Sequence, residues 1–161
     1  SDTYSQLGYQ AESGPWRNFY LTGAQDLLKK AVPYTSKLIN DGVLSQMDMG
    51  TLLDYCAIQL NGEKAGGKEA VININFTDTK EKVMLMLKNG VLNHRLGSQD
   101  KKADLTMEIA KMDFVKLFFG RTDLQTLRKT NKVKTTGDTK AIDMIRSAYE
   151  PADPNFKIVL P

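Results

Sequence analysis

Apolar residues recur along this chain first at helical spacing, then in strand alternation, then in both by turns. From Tyr9 to Lys30, the residues Trp16, Phe19, Tyr20, Gly23, Leu27 and Leu28 share one helical face. They follow a Ser13-Gly14-Pro15 start, where proline takes a position whose amide has no intrahelical partner. A short second helix is predicted over Thr35 to Asn40, ending near Asp41-Gly42. Two such helices make only a thin core, so this stretch is expected to pack on something beyond itself.

From Asp48 the pattern is denser. Asp48 is placed to cap a helix carrying Leu52, Leu53, Cys56, Ala57 and Leu60, with Asn61-Gly62 as its stop and a loop over Glu63 to Lys68. Val71 to Thr77 alternates, with Ile72, Ile74 and Phe76 facing inward and Asn73, Asn75 and Thr77 facing solvent. Lys82 to Lys88 is apolar on both faces, which predicts a central strand. Asn89-Gly90 is the residue pair that a type I′ hairpin turn requires, and it should return the chain into a third strand, Val91 to Leu96. A fourth strand is predicted over Asp104 to Ala110. Two helices follow, Met112 to Phe119 stopped by Gly120, and Asp123 to Lys129 started by Thr122. Lys132 to Thr136 reads as an edge strand guarded by its lysines, Asp138 as the cap of a last helix, and Phe156 to Leu160 as an apolar tail.

Composition changes this picture little. A formal charge of +3 over 161 residues, with opposite signs interspersed, demands no nucleic-acid partner. The basic run Arg128, Lys129, Lys132 and Lys134 has no interleaved aromatic residues, so no nucleic acid is expected as a ligand. No apolar run is long enough to span a bilayer, so the chain is not expected to be transmembrane, and no signal peptide is visible.

Candidate chemistry is scarce. The chain has one histidine, His94, and one cysteine, Cys56, which excludes an internal disulfide and leaves too few soft ligands for a zinc site. His94 sits in strand alternation with Leu92 and Leu96, a structural position rather than a catalytic one. Gly62, Gly66 and Gly67 with Lys64 and Lys68 resemble a phosphate loop only superficially, since a helix precedes them and a strand follows. No catalytic, cofactor or metal residue is assigned. What stands out is an apolar surplus in the central strands and the helix after the fourth strand: Met84, Met86, Met107, Met112, Phe114, Val115, Leu117, Phe118 and Phe119. Residue by residue these read as ordinary core. As a group, they are placed to line a groove for an alkyl or acyl chain.

The segment from Gly8 to Ala24, GYQAESGPWRNFYLTGA, resembles the end of the dimerisation region of alkylsulfatases in the metallo-β-lactamase superfamily. Further strings resemble the C-terminal, sterol-carrier-protein-like domain of the same enzymes: Leu52 to Tyr55, Asn61 to Ala65, Asn73 to Asp78, Lys88 to His94, and Asn155 to Val159. The resemblance implies an α+β, sterol-carrier-protein-like fold with about five strands in a mixed sheet covered by helices. A helical remnant of the dimerisation region would span residues 1–45 and the carrier-like domain residues 46–161. It implies a parent that hydrolyses primary alkyl sulfates such as dodecyl sulfate at a two-zinc centre in an N-terminal domain, through a His-x-His-x-Asp-His motif. This chain lacks that motif, so no zinc ligand carries over. The expected ligand is a long alkyl or acyl chain in the Met/Phe groove. The expected protein partners are the parent's catalytic and dimerisation domains, docked through Trp16, Arg17, Phe19 and Tyr20. The alternative expectation is a purely structural module with a solid core.

Overall fold

The computed structural model describes residues 1–28 and 40–150. The predicted helix over Thr35 to Asn40, apart from its last residue, lies outside the described residues, as do Lys29, Lys30 and the apolar tail from Phe156 to Leu160. The elements group into two compact units.

The first unit is a helical hairpin, α1 (Asp2–Gln10) and α2 (Gly14–Leu28). The first of these helices was not predicted, because its apolar positions are few and mixed with polar ones. What fixes it is contact with α2. Gly8 is buried, and a Cβ there would sit 2.7 Å from Leu21 Cδ2, so only glycine lets the two helices approach so closely. Arg17 closes the turn, donating from Nε and Nη2 to the Ala11 carbonyl at 3.2 and 2.9 Å.

The second unit opens with α3 (Asp41–Gln46), α4 (Met49–Ile58) and the single turn α5 (Gly62–Ala65). Each begins on a residue whose side-chain oxygen accepts from the amide three positions on: Asn40 from Val43, Asp48 from Thr51, Asn61 from Lys64. Such caps contribute about 1 kcal/mol each. Asn61-Gly62, read from sequence as a stop, is therefore a start, because an Asx side chain satisfies orphan amides as readily as it ends a turn.

The strands are β1 (Ala70–Phe76), β2 (Lys82–Lys88), β3 (Val91–Leu96), β4 (Leu105–Ile109) and β5 (Val133–Gly137). They form one sheet in the order β3-β2-β1-β4-β5, with β1 and β4 parallel and every other pair antiparallel. The fold is α+β with a mixed five-stranded sheet, as expected. Between the strands lie α6 (Lys111–Phe118) and α7 (Leu124–Lys129), and α8 (Lys140–Ser147) follows β5. Asp123 rather than Thr122 caps α7, accepting from Thr126 N at 2.8 Å. Thr139 rather than Asp138 occupies the cap of α8, although Asp138 still accepts from the Lys140 amide. At the β2–β3 turn Asn89 and Gly90 take φ of 52° and 75°, as a type I′ turn requires.

Register assigns the sheet's two faces. Ile72, Ile74 and Phe76 pair across to Leu85, Val83, Leu105, Met107 and Ile109, and this face carries the helices, with α4 on β3 and α8 on β1. Nearly all of these side chains are buried without residual exposure. At about 1.5–3 kcal/mol for each large aliphatic or aromatic side chain, this layer supplies most of the driving force for folding. The opposite face carries Val71, Asn73, Asn75, Met84, Met86, Asn93 and Arg95.

Because β4 lies beside β1 and not β3, the chain must cross the sheet after Leu96. It crosses over this second face. Asn73 donates from Nδ2 to the Asp100 carbonyl at 2.7 Å and accepts from the Asp100 amide at 3.0 Å, and Gln99 donates to Asn75 Oδ1 at 2.6 Å. Asn73, expected in solvent, is therefore buried beneath the crossover. Its two-way bond with one backbone unit replaces the water it loses.

Candidate functional site

The Met/Phe set divides three ways. Met107, Phe114, Val115, Leu117 and Phe118 lie on the helix side of the sheet, each at most 1% exposed. A space able to admit water would register as exposed surface on its lining, so these residues border none; they pack on one another. Phe114 meets Phe76 edge to face at 5.7 Å between ring centres and Phe118 at 6.0 Å. Met84 and Met86 lie on the opposite face, Met84 buried and Met86 half-buried. Met112 and Phe119 are half-buried on the outside of the core.

Phe119, the residue after α6, heads a ring cluster. It stands 5.3 Å from Tyr149, 5.8 Å from Tyr55 and 5.3 Å from Phe118, while Tyr149 also meets Phe118 at 6.1 Å. Tyr55, Phe119 and Tyr149 are all half-buried against the core. Burial raises the Tyr149 hydroxyl above its ordinary range, with the Tyr55 phenol adding to the effect. This cluster reaches from the buried Phe118 to the partly exposed edge of the core.

In the hairpin, Trp16 stacks on Tyr20 at 5.9 Å and meets Phe19 edge to face at 6.5 Å, while Tyr4 stands 6.0 Å from Tyr20. Trp16 is 59% exposed and Phe19 45%. Shallow apolar hollows lie beside Pro15, Trp16 and Phe19, and between the α1–α2 turn and Tyr20. Arg17, by contrast, is committed to the Ala11 carbonyl within the hairpin.

Cys56 is buried, and desolvation pushes its thiol up to about 12, so it stays protonated and neither attacks nor ligates at neutral pH. His94 lies on the helix side of β3, its Nδ1 3.7 Å from Asp54 Oδ1 on α4. Among the described residues no three His, Cys, Asp or Glu side chains come together as a metal site.

A feature that the sequence reading missed lies on the far face of the sheet. A cleft of about 610 Å³ opens beside the crossover, with Val71, Met86 and Asn93 in its floor and Lys88, Arg95, Lys102, Glu69 and Asp104 around it. The strand alternation did signal which residues share this face. The crossover that walls the cleft carries no periodic signal, so nothing in the sequence announced it.

Two family models match: alkyl sulfatase C-terminal over residues 37–161, and alkyl sulfatase dimerisation over residues 1–30. The whole chain aligns at 37% identity with a linear primary-alkylsulfatase from a Pseudomonas species and at 35% with an (R)-specific secondary-alkylsulfatase from a Pseudomonas species, covering 24% of each. The chain thus spans about a quarter of the length of these curated relatives. The solved structure of a stereoselective inverting sec-alkylsulfatase from a Pseudomonas species superposes on 99% of this chain and 25% of its own, with a TM-score of 0.87 and 34% identity. The chain belongs to the alkyl sulfatase family, and it corresponds to the C-terminal region together with part of the dimerisation region.

Proposed function

We propose that this chain is the non-catalytic C-terminal part of an enzyme that hydrolyses alkyl sulfates, and that its five-stranded unit holds the aliphatic chain of the substrate against the rings at the end of α6. The observation that carries the reading is the Tyr55–Phe119–Tyr149 cluster, half-buried and continuous with the fully buried Phe118. Rings and methionines at the edge of a core offer apolar contact without requiring the packed interior to open. Each methylene fully buried there contributes about 0.8 kcal/mol, so a few carbons suffice to concentrate a long-chain substrate. Hydrolysis itself, at the zinc centre that the family resemblance implies, belongs to parts of the enzyme that this chain does not match. Titrating the chain with a fluorescent fatty acid and displacing it with dodecyl sulfate below its micelle concentration tests the reading. Saturable displacement that weakens in Phe119→Ala is the expected result. Displacement that is absent, or indifferent to Phe119, refutes it.

A second reading has its own observation. The absence of residual exposure at Met107, Phe114 and Val115 favours a solid structural module whose role is assembly, with the exposed Trp16 and Phe19 and their neighbour Tyr20 meeting the catalytic and dimerisation parts of the enzyme. Alanine at those three positions should then impair assembly of the full enzyme and leave the sheet unit folded. Assembly indifferent to the triple substitution counts against this role.

A further inference from the structure

The cleft on the far face of the sheet combines two properties seldom found together on a solvated surface. Its floor is apolar where Val71 and Met86 stand side by side, register partners on β1 and β2. Its rim is cationic. Of the five charged side chains around it, Glu69 is paired with Lys88 at 3.8 Å, while Asp104 accepts from the neutral Val71 amide at 2.7 Å and keeps its negative charge. Among the described residues the side chains of Arg95 and Lys102 have neither an ion pair nor a hydrogen bond, and both are exposed. With three cations against two carboxylates in its lining, the cleft carries a net positive charge above a thioether and a valine. Its volume, about 610 Å³, lies within the range of roughly 300–1,000 Å³ in which small-molecule sites fall.

We propose that this cleft binds an anionic amphiphile, with a sulfate or carboxylate head between Arg95 and Lys102 and the first part of an alkyl chain on Val71 and Met86. The net charge selects an anionic head, since a cationic one would be repelled by Arg95 and Lys102 and a neutral one would gain nothing from them. Arginine and lysine divide the work, the guanidinium offering a planar fork to two oxygens and the ammonium a point charge. Asn93, on the same face between Met86 and the rim, offers an amide donor to the same head. The walls are fixed on one side by the sheet ladder and on the other by a crossover that Asn73 and Asn75 clamp, so the site is formed before a ligand arrives. This cleft lies on the opposite face of the sheet from the Tyr55–Phe119–Tyr149 cluster, and the inference does not depend on the ring cluster.

The test follows backbone amide resonances of the whole chain during titration with dodecyl sulfate below its micelle concentration. Parallel titrations use dodecyltrimethylammonium, an uncharged dodecyl glycoside and inorganic sulfate. Saturable shifts at Val71, Met86, Asn93 and Lys102 are expected with dodecyl sulfate, weakened about tenfold or more in the Arg95→Glu, Lys102→Glu double variant and by added salt. Binding here should be unchanged in Phe119→Ala, which separates this site from the ring cluster. Equal binding of the glycoside or the cationic detergent, or an unchanged affinity in the double variant, overturns the proposal. Inorganic sulfate binding as tightly as dodecyl sulfate overturns the amphiphile and leaves a plain anion pocket. Arg95→Gln and Lys102→Gln, on exposed positions that leave the core intact, repeat the measurement should charge reversal unfold the chain.

Discussion

Phe114→Ala separates a filled core from a ligand tunnel. Phe114 has no residual exposure, and its ring meets Phe76 and Phe118 at centroid distances of 5.7 and 6.0 Å. Truncation removes the transfer free energy of the ring, leaves a cavity that a sheet-and-helix sandwich closes only partly, and forfeits two aromatic contacts of about 0.5–1.5 kcal/mol each. The total for such a site is about 3–5 kcal/mol, a large share of the roughly 5–15 kcal/mol by which a domain is stable. Urea unfolding followed by far-UV circular dichroism should show the midpoint fall with an unchanged slope. Phe114→Leu, at about 1–2 kcal/mol, keeps the comparison measurable if the alanine variant does not fold. A loss below about 1 kcal/mol for Phe114→Ala at constant slope would mean that the ring borders open space, and the solid-core argument would fail. The variant also makes a positive test of the cavity, since a hole lined by Phe76, Phe118 and their neighbours should take up small apolar molecules.

Cys56 should resist iodoacetamide at pH 8 while the protein is folded, because its thiol is raised to about 12 by burial, and should react at the rate of unfolding once urea is added; rapid native labelling would show that α4 is loosely packed. Asp48 and Asp123 are both held below their ordinary value of 3.8, by hydrogen bonds from Thr51 and Thr126 respectively. A depressed carboxyl stabilises the fold above its unfolded value and loses that contribution as pH falls through the folded one. Acid unfolding as pH falls below about 3.8 should therefore flatten in Asp48→Asn, Asp123→Asn, which keeps both caps without their charge; an unchanged pH profile would refute the assignment. Asn73→Ala removes the partner of the Asp100 amide and leaves the Asp100 carbonyl only its bond from the Ala103 amide at 3.3 Å, at a cost of about 1–3 kcal/mol, and hydrogen exchange at the Asp100 amide should quicken. Gly90→Ala places a Cβ 2.9 Å from the Gly62 carbonyl oxygen at a φ of 75°, so a fall in melting temperature is expected from the turn alone.

The strands were legible because their signals are local. Alternation gave β1 and β4, two-sided apolarity gave the interior place of β2, and Asn89-Gly90 gave the β2–β3 turn. What the sequence withheld depends on contacts between distant residues. Asparagine 73 looks like a solvated strand residue until the crossover is seen to bring Asp100 over it. Helix α1 is held by the approach of Gly8 to Leu21, which no periodicity records. Asn40 and Asn61 carry side chains equally suited to ending one element and capping the next, and the amides of Val43 and Lys64 decide between them. Arg17, read from its neighbours as a docking residue, also has a role inside the hairpin, donating from Nε and Nη2 to the Ala11 carbonyl. The Met/Phe surplus had the same ambiguity: composition says how much apolar surface exists, whereas only register says which face of the sheet each residue serves.

That division by register carries the functional argument. On the helix side, Ile72, Ile74, Leu85 and Met107 are sealed, so a ligand meeting that layer must do so at its rim, where Phe119 and Tyr149 emerge. On the far side the crossover lies over Asn73 and Asn75, and the rest of that face is neither wholly apolar, which would invite aggregation, nor wholly polar, which would make it plain surface. The parallel β1–β4 pairing produces this arrangement. Had β4 joined the edge at β3, no crossover would be needed, Asn73 would face water, and the wall beside Met86 and Arg95 would not exist. The topology that makes the sheet mixed is thus also what builds the charged cleft.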